Sequence, residues 1–182
     1  MSKTHHTALV IVPADAVWEP IQQIRQRYDR HYRRWMPHIT LLYPFLSRNL
    51  WPNVLDDLRQ ACRGIQPFGV ELARLAFFDH RSSCTLWLAP SPTTTLVDLQ
   101  TALWQVVPEC DDTRRHRGGF TPHLSVGQQA GRKPVTALMD ELQGKWRSVR
   151  FPVREVHLIW RNDPPDDIFR IGETLSLGTP KG

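Results

Sequence analysis

Two short runs of residues constrain this chain more than anything else in it. One is Met36-Pro37-His38-Ile39-Thr40-Leu41-Leu42-Tyr43-Pro44-Phe45, and the other is Phe120-Thr121-Pro122-His123-Leu124-Ser125-Val126-Gly127. Each contains Pro-His, an aliphatic residue, a hydroxyl residue and a second aliphatic residue. Along an extended strand, side chains alternate between faces. His38 and Thr40 therefore share one face while Ile39 and Leu41 point to the other. His123 and Ser125 stand in the same relation to Leu124 and Val126. The pattern predicts two strands, each with aliphatic side chains for a core under helices and a polar pair on its opposite face.

The rest of the chain is organised around these strands. A β-rich run over 7–12 ends at Pro13. Residues 17–32 carry apolar or aromatic side chains at 17, 18, 21, 24, 28 and 32, which predicts a helix with Asp15 as its N-cap. A strand over 39–46 is followed by a helix over 54–63, with Asn53 as cap and Gly64 as stop. Residues 68–78 and 84–88 read as a hairpin across the polar turn Asp79-His80-Arg81-Ser82-Ser83. A helix over 93–107 ends at Pro108, and a basic, Gly-containing loop covers 109–119. Then come a strand over 121–126, a helix over 134–146, a strand over 149–160, a turn over 162–167 and a strand over 168–177.

This order is a repeat: strand, helix, strand, helix, strand, strand, run twice. The second copy opens on the strand over 84–88, which also closes the first. Such self-similarity predicts two like lobes, each needing the other to bury a sheet face. Alternating helices and strands also give some periodicity by chance, so the weight falls on the duplicated polar pairs.

A chain of 182 residues fits one domain over 1–182. With 41% hydrophobic and 23% charged residues, wholesale disorder is excluded. No apolar run approaches the ~20 residues that cross a bilayer. The first residues lack the layout of a secretory signal. Three cysteines without a C-x-x-C pair fit a reducing compartment, hence a cytoplasmic protein, taken as a monomer by default. Twenty-three Lys and Arg against 18 Asp and Glu leave a net charge of +5. Arg25, Arg27, Arg30, Arg33 and Arg34 precede the first motif; Arg114, Arg115 and Arg117 precede the second. Guanidinium groups suit bidentate capture of phosphate, although on charge alone a solvated basic face is the simpler account.

Imidazole can take or give a proton near neutral pH, and a hydroxyl can donate to a non-bridging phosphate oxygen. Bare His-x-Thr is a weak pattern, and His5-His6-Thr7 meets it by accident. The longer form, present twice, points to an active site in which paired titratable groups share a cleft. No conspicuous acidic cluster demands a metal, and no cofactor is expected. The adjacent pairs Asp111-Asp112 and Asp166-Asp167 read as solvated loop residues.

The pair of His-x-Thr/Ser-aliphatic motifs in a two-lobed order resembles the 2H phosphoesterase superfamily, which includes bacterial 2'-5' RNA ligases and RNA 2',3'-cyclic phosphodiesterases. The resemblance implies a bilobal α/β (α+β) fold. In it, two antiparallel-rich sheets flank a central groove under pseudo-two-fold symmetry, with helices outside. It makes His38 and His123 the acid–base pair, and Thr40 and Ser125 the phosphate-binding hydroxyls. The implied activity is metal-independent cleavage of a 2',3'-cyclic phosphate or 2'-5' linkage on an RNA end or nucleotide, with ligation as its reverse. The alternative is a nucleotide- or RNA-binding module that keeps the groove without turnover.

Further contacts follow with less support. Tyr43, Phe120 and Trp87 are candidates for stacking a base. Arg115 and Arg117, on the loop leading into the second motif, are candidates for a neighbouring phosphate. On the strand over 149–160, Glu155, His157 and Ile159 alternate against Val156, Leu158 and Trp160. If the latter set is core, His157 is aimed at the groove; a satisfied structural histidine is the other reading.

Overall fold

The computed structural model describes residues 2–80, 82–115 and 118–178, those at 132–134 by backbone alone. Among the described residues there are ten strands and four α-helices. In chain order they are β1 (Lys3–Thr4), β2 (Thr7–Ile11), α1 (Trp18–Tyr28), β3 (Ile39–Leu42), β4 (Phe45–Leu46), α2 (Leu55–Arg63) and β5 (Phe68–Asp79). There follow β6 (Ser83–Ser91), α3 (Thr93–Val106), β7 (Leu124–Ala130), α4 (Arg132–Lys145), β8 (Val149–Val153), β9 (Glu155–Trp160) and β10 (Arg170–Ser176).

Two four-stranded sheets carry the fold, in the orders β10-β9-β2-β3 and β7-β6-β5-β8, and β1 pairs with β4 in a small ribbon. Every pairing is antiparallel. The two sheets are built alike. In each, the strand that follows the histidine is an edge (β3 or β7), and the strand that opens the unit (β2 or β6) lies beside it. Helices join them crosswise: α1 packs on β7 and α3 on β3, so the first helix of each unit reaches the other sheet. Helix α2 stays with β10, and α4 with β5, β6 and β7. The last strands are exchanged too, since β5 and β6 serve the second sheet while β9 and β10 return to the first.

One buried cluster runs through both sheets. Leu9, Ile11, Ile39, Leu41, Val156 and Leu158 meet Leu72, Leu86, Leu88, Leu124 and Val126, with Ile21, Leu58, Leu96, Leu99 and Leu103 from the helices. Full burial of each such side chain contributes about 1.5–3 kcal/mol. Thus Ile39, Leu41, Leu124 and Val126 lie where the alternation puts them, and the faces carrying Thr40 and Ser125 are left for other use. Among the described residues no helix is long and apolar enough to cross a membrane. Cys62, Cys84 and Cys110 are buried and free of disulfides, and burial pushes the Cys62 and Cys110 thiols up to about 12.

Several boundaries differ from the sequence reading for local reasons. Helix α1 stops at Tyr28 rather than 32, because Asp29 turns to extended backbone and gives its carboxylate to Arg25. Asp15 does not cap it: Asp15 opens a 3-10 turn, and Val17 holds the cap position without a side-chain bond. Asn53 likewise ends a 3-10 turn, leaving Val54 at the start of α2. Pro44 lacks an N–H for the ladder, and the strand over 39–46 is two pieces. Strand β7 begins at Leu124 instead of 121, just past Pro122. The run over 149–160 breaks at the exposed Arg154, where the chain passes from one sheet to the other.

Candidate active site

The two edge strands β3 and β7 approach each other, with Cα atoms within 8 Å, although they belong to different sheets. His38 stands immediately before β3 and His123 immediately before β7. A charge on His123 lowers the pKa of His38. Cross-strand register fixes which side chains share the faces of the two motif hydroxyls. In the first sheet Thr40 lies opposite Val10, Val10 opposite His157, and His157 opposite Thr174. In the second, Ser125 lies opposite Trp87, and Trp87 opposite Ala76.

Both imidazoles are held by the same local device. Nδ1 of His38 donates to the carbonyl of Met36 at 2.7 Å, and Nδ1 of His123 donates to that of Thr121 at 2.8 Å. A carbonyl oxygen can only accept, so each neutral ring carries its proton on Nδ1 and keeps a lone pair on Nε2. The proline between histidine and carbonyl in each motif restricts the residue before it to extended backbone, which helps turn that carbonyl back to the ring. An imidazole fixed in this way can take a proton at Nε2 or, once charged, deliver one from it.

Their surroundings differ. Trp35 stacks on His38 with centroids 4.6 Å apart and planes at 17°, and Phe169 stacks on the far face of the column at 3.8 Å from Trp35. Burial lowers the pKa of His38 to about 4; the Met36 carbonyl opposes this, while the charges of Arg25 and His123 add to it. His123 instead meets Phe78 edge-on at 4.9 Å and Trp87 at 5.9 Å, and those two rings stack on each other at 4.8 Å.

The other residues singled out in the sequence fall in different places. Tyr43 meets Trp35 edge-on and donates its hydroxyl to the carbonyl of His5 at 3.3 Å; burial raises its pKa. Trp87 shares the Ser125 face, whereas Phe120 packs against the main core. His157 is on the Thr40 face but only 6% exposed, with Nδ1 3.1 Å from the Thr174 hydroxyl. Burial lowers its pKa, with Glu155 opposing. Arg115 is exposed and engaged by Asp111, through Nε at 2.9 Å and Nη2 at 2.7 Å. Arg117 lies outside the described residues.

The acidic pairs are partnered rather than simply solvated. Lys3 bridges Asp111 and Asp112, Arg34 pairs with Asp167, and Arg170 with Asp166. Among the described residues no group of three or more His, Cys, Asp or Glu is placed to hold a metal ion. Sequence reasoning missed Trp35, Phe78 and Phe169. Trp35 could have been noticed three residues before His38, but nothing local marks Phe78 or Phe169 as neighbours of either histidine.

Comparison with known proteins agrees with this architecture. A model of the 2'-5' RNA ligase superfamily matches residues 13–165. A provisionally named phosphoesterase of Halalkalibacterium halodurans is 26% identical over 171 residues, spanning 93% of this chain and 96% of that one. Another from Oceanobacillus iheyensis is 23% identical over the same length, with the same shares. Among solved structures, TT0787 of Thermus thermophilus superposes with a TM-score of 0.64 at 17% identity, over 94% of this chain and 97% of that one. LigT of E. coli, solved with phosphate, gives 0.61 at 14% identity over 98% of this chain and all of LigT. LigT has also been solved with 3'-AMP.

Proposed function

This chain belongs to the 2'-5' RNA ligase superfamily, and from that premise we propose that it is a phosphoesterase. Its reaction is metal-independent cleavage of a 2',3'-cyclic phosphate or 2'-5' linkage on an RNA end or nucleotide. The observation that supports the reading is the matched pair of Nδ1–H bonds to Met36 and Thr121, which leaves Nε2 of both rings, beside neighbouring strands, for proton transfer. Phosphate and 3'-AMP complexes of LigT, whose fold this chain shares, support a nucleotide phosphate as the ligand.

In the hydrolytic direction, Nε2 of His38 removes a proton from water as its oxygen forms a bond to phosphorus. The bond from phosphorus to one ribose oxygen breaks, and Nε2–H of His123 delivers a proton to that oxygen. The product is a phosphomonoester beside a free hydroxyl, and the two rings exchange protons with solvent to reset. Burial favours the neutral form of His38 and so suits it to the base role. Thr40 and Ser125 donate to the non-bridging oxygens as charge shifts onto them. Run in the same direction on a 2',3'-cyclic end, with the 5'-hydroxyl of a second RNA in place of water and the 3'-oxygen leaving with the proton, the same steps form a 2'-5' bond. Trp87 supplies a stacking surface on the Ser125 side, and Arg115 a guanidinium for a flanking phosphate of longer RNA.

The test is turnover of a 2',3'-cyclic nucleotide and of cyclic-ended RNA, in EDTA, by wild type, His38→Ala and His123→Ala. Cleavage by wild type and its loss in both variants supports the reading. Binding without cleavage by wild type identifies a binding module instead, and loss of cleavage on chelation ends the metal-independent mechanism.

A further inference from the structure

Behind the two histidines lies a buried polar chain that the reaction does not use. Arg25 of α1 is only 2% exposed, yet its guanidinium donates in three directions. Nε reaches Asp29 Oδ2 at 2.9 Å, Nη1 reaches Gln22 Oε1 at 3.0 Å, and Nη2 reaches the carbonyl of Trp35 at 2.9 Å. Asp29, also buried, accepts on Oδ1 from the backbone N–H of His31 at 2.9 Å and from Nε2 of Gln128 at 3.2 Å. Gln128 returns the tie, accepting from the backbone N–H of Arg30 at 3.0 Å.

These bonds join elements that no sheet ladder joins. Strands β3 and β7 are edges of different sheets, so backbone pairing does not set the distance between His38 and His123. Gln128 lies in β7, three residues beyond Ser125. Through Asp29 and Arg25 it is connected to Trp35, whose ring lies flat against His38. The helix end that carries Asp29 is pressed onto the same strand at Gly127. A buried ion pair is costly to desolvate and is weak as a source of stability. Its value here is directional, since a guanidinium with three fixed acceptors tolerates little displacement of any of them.

We infer that Arg25, Asp29 and Gln128 form a positioning clamp that holds the His38 approach segment at a fixed distance from the His123 strand. The inference rests on the phosphoesterase reading for its purpose, though not for its geometry. None of the three touches the reacting atoms; they act through Trp35 and β7.

The decisive variant is Gln128→Ala, which cuts the tie to β7 and leaves the Arg25–Asp29 pair intact, so folding is preserved. Gln129→Ala, one residue along the same strand, is the control. With a 2',3'-cyclic nucleotide, Gln128→Ala should lower kcat about tenfold with KM unchanged within about twofold. Gln128→Glu should fall further, because it sets a second carboxylate against Asp29. Spectra of protein labelled with 15N-histidine should show the His38 ring resonances displaced in Gln128→Ala and unmoved in Gln129→Ala. Wild-type kcat and unmoved His38 resonances in Gln128→Ala would overturn the clamp. So would a raised KM at constant kcat, which would make Gln128 a substrate contact. If wild type turns over no cyclic phosphate, the functional reading fails by itself, and the His38 resonances still decide the clamp.

Discussion

The segment around His38 and the segment around His123 are two versions of one design, and they diverge where chemistry would need them to. Backbone and tautomer are the same: a proline before the ring, an Nδ1–H bond to the carbonyl two residues back, and a hydroxyl two residues on. The ring environments are not. His38 lies flat under Trp35 in a three-ring column, while His123 meets Phe78 and Trp87 at their edges. A flat aromatic cover excludes water from one face of an imidazole, and burial works against its charged form. A duplicated scaffold can thus supply two chemically equal groups, and the packing around them can then make them unequal. On the proposed reading this inequality divides the labour between base and acid.

The largest effects test whether both versions are needed. His38→Ala and His123→Ala should each lower turnover of a cyclic nucleotide by about 10²–10⁴-fold, the usual contribution of a positioned acid or base. Full turnover in one of them would break the pairing and leave a one-histidine mechanism. Next, Thr40→Val and Ser125→Ala remove one donor each from the phosphate and should cost about 10²-fold in kcat. Similar losses would mean that the hydroxyls remained equivalent while the rings diverged. A loss confined to one variant would place the phosphate on that side.

Much of this was legible before any coordinates, and the reason is local. Period-two alternation put Ile39, Leu41, Leu124 and Val126 in the core and left Thr40 and Ser125 on the other faces, and β5 pairs with β6 as the expected hairpin. The run over 149–160 misled because both its parts are β-rich, and nothing in its composition marks Arg154 as the point where the chain changes sheets. Beyond that point its alternation holds: Val156 and Leu158 enter the main core with Trp160 packed against it, while His157 and Ile159 face the other way, Ile159 buried against Ala8, Val10 and Phe169, so both faces of β9 are covered. The end of α1 was misplaced because Asp29 is claimed by Arg25, a tertiary reason invisible to helical spacing. The stacking of Phe169 on Trp35 joins distant parts of the chain, and no local pattern encodes it.

A smaller effect probes the joint between the two regions. A Cβ at Gly127 would lie 2.6 Å from the Cβ of Tyr28 and 3.0 Å from its carbonyl oxygen, at the point where the end of α1 rests on β7. Gly127→Ala must therefore push helix and strand apart, and overpacking of this kind costs about 1–3 kcal/mol. Urea unfolding should show that loss. If the spacing of the two strands governs the reaction, kcat measured well below the denaturation range should fall as well. A destabilised variant with wild-type kcat would separate fold from site.

The smallest effect expected is a shift along the pH axis, and it isolates the asymmetry of the rings. Burial holds His38 at about 4, so in the free protein it is neutral across the physiological range, and the acid limb of kcat/KM should lie near that value. An unfolded histidine titrates near about 6.5 and binds a proton that the native ring refuses. Native stability therefore declines as pH falls from about 6.5 towards 4, where the unfolded chain holds more protons. Trp35→Leu removes the flat cover, lets water solvate the imidazolium and raises the His38 pKa. The acid limb should then move up by about one unit, with the stability loss confined to a narrower window. Histidine ring titrations by NMR, beside kcat/KM profiles of wild type and Trp35→Leu, measure both quantities. If the wild-type limb already lies near about 6.5 and Trp35→Leu leaves it there, aromatic cover does not distinguish the rings. The division between base and acid must then arise only when substrate binds.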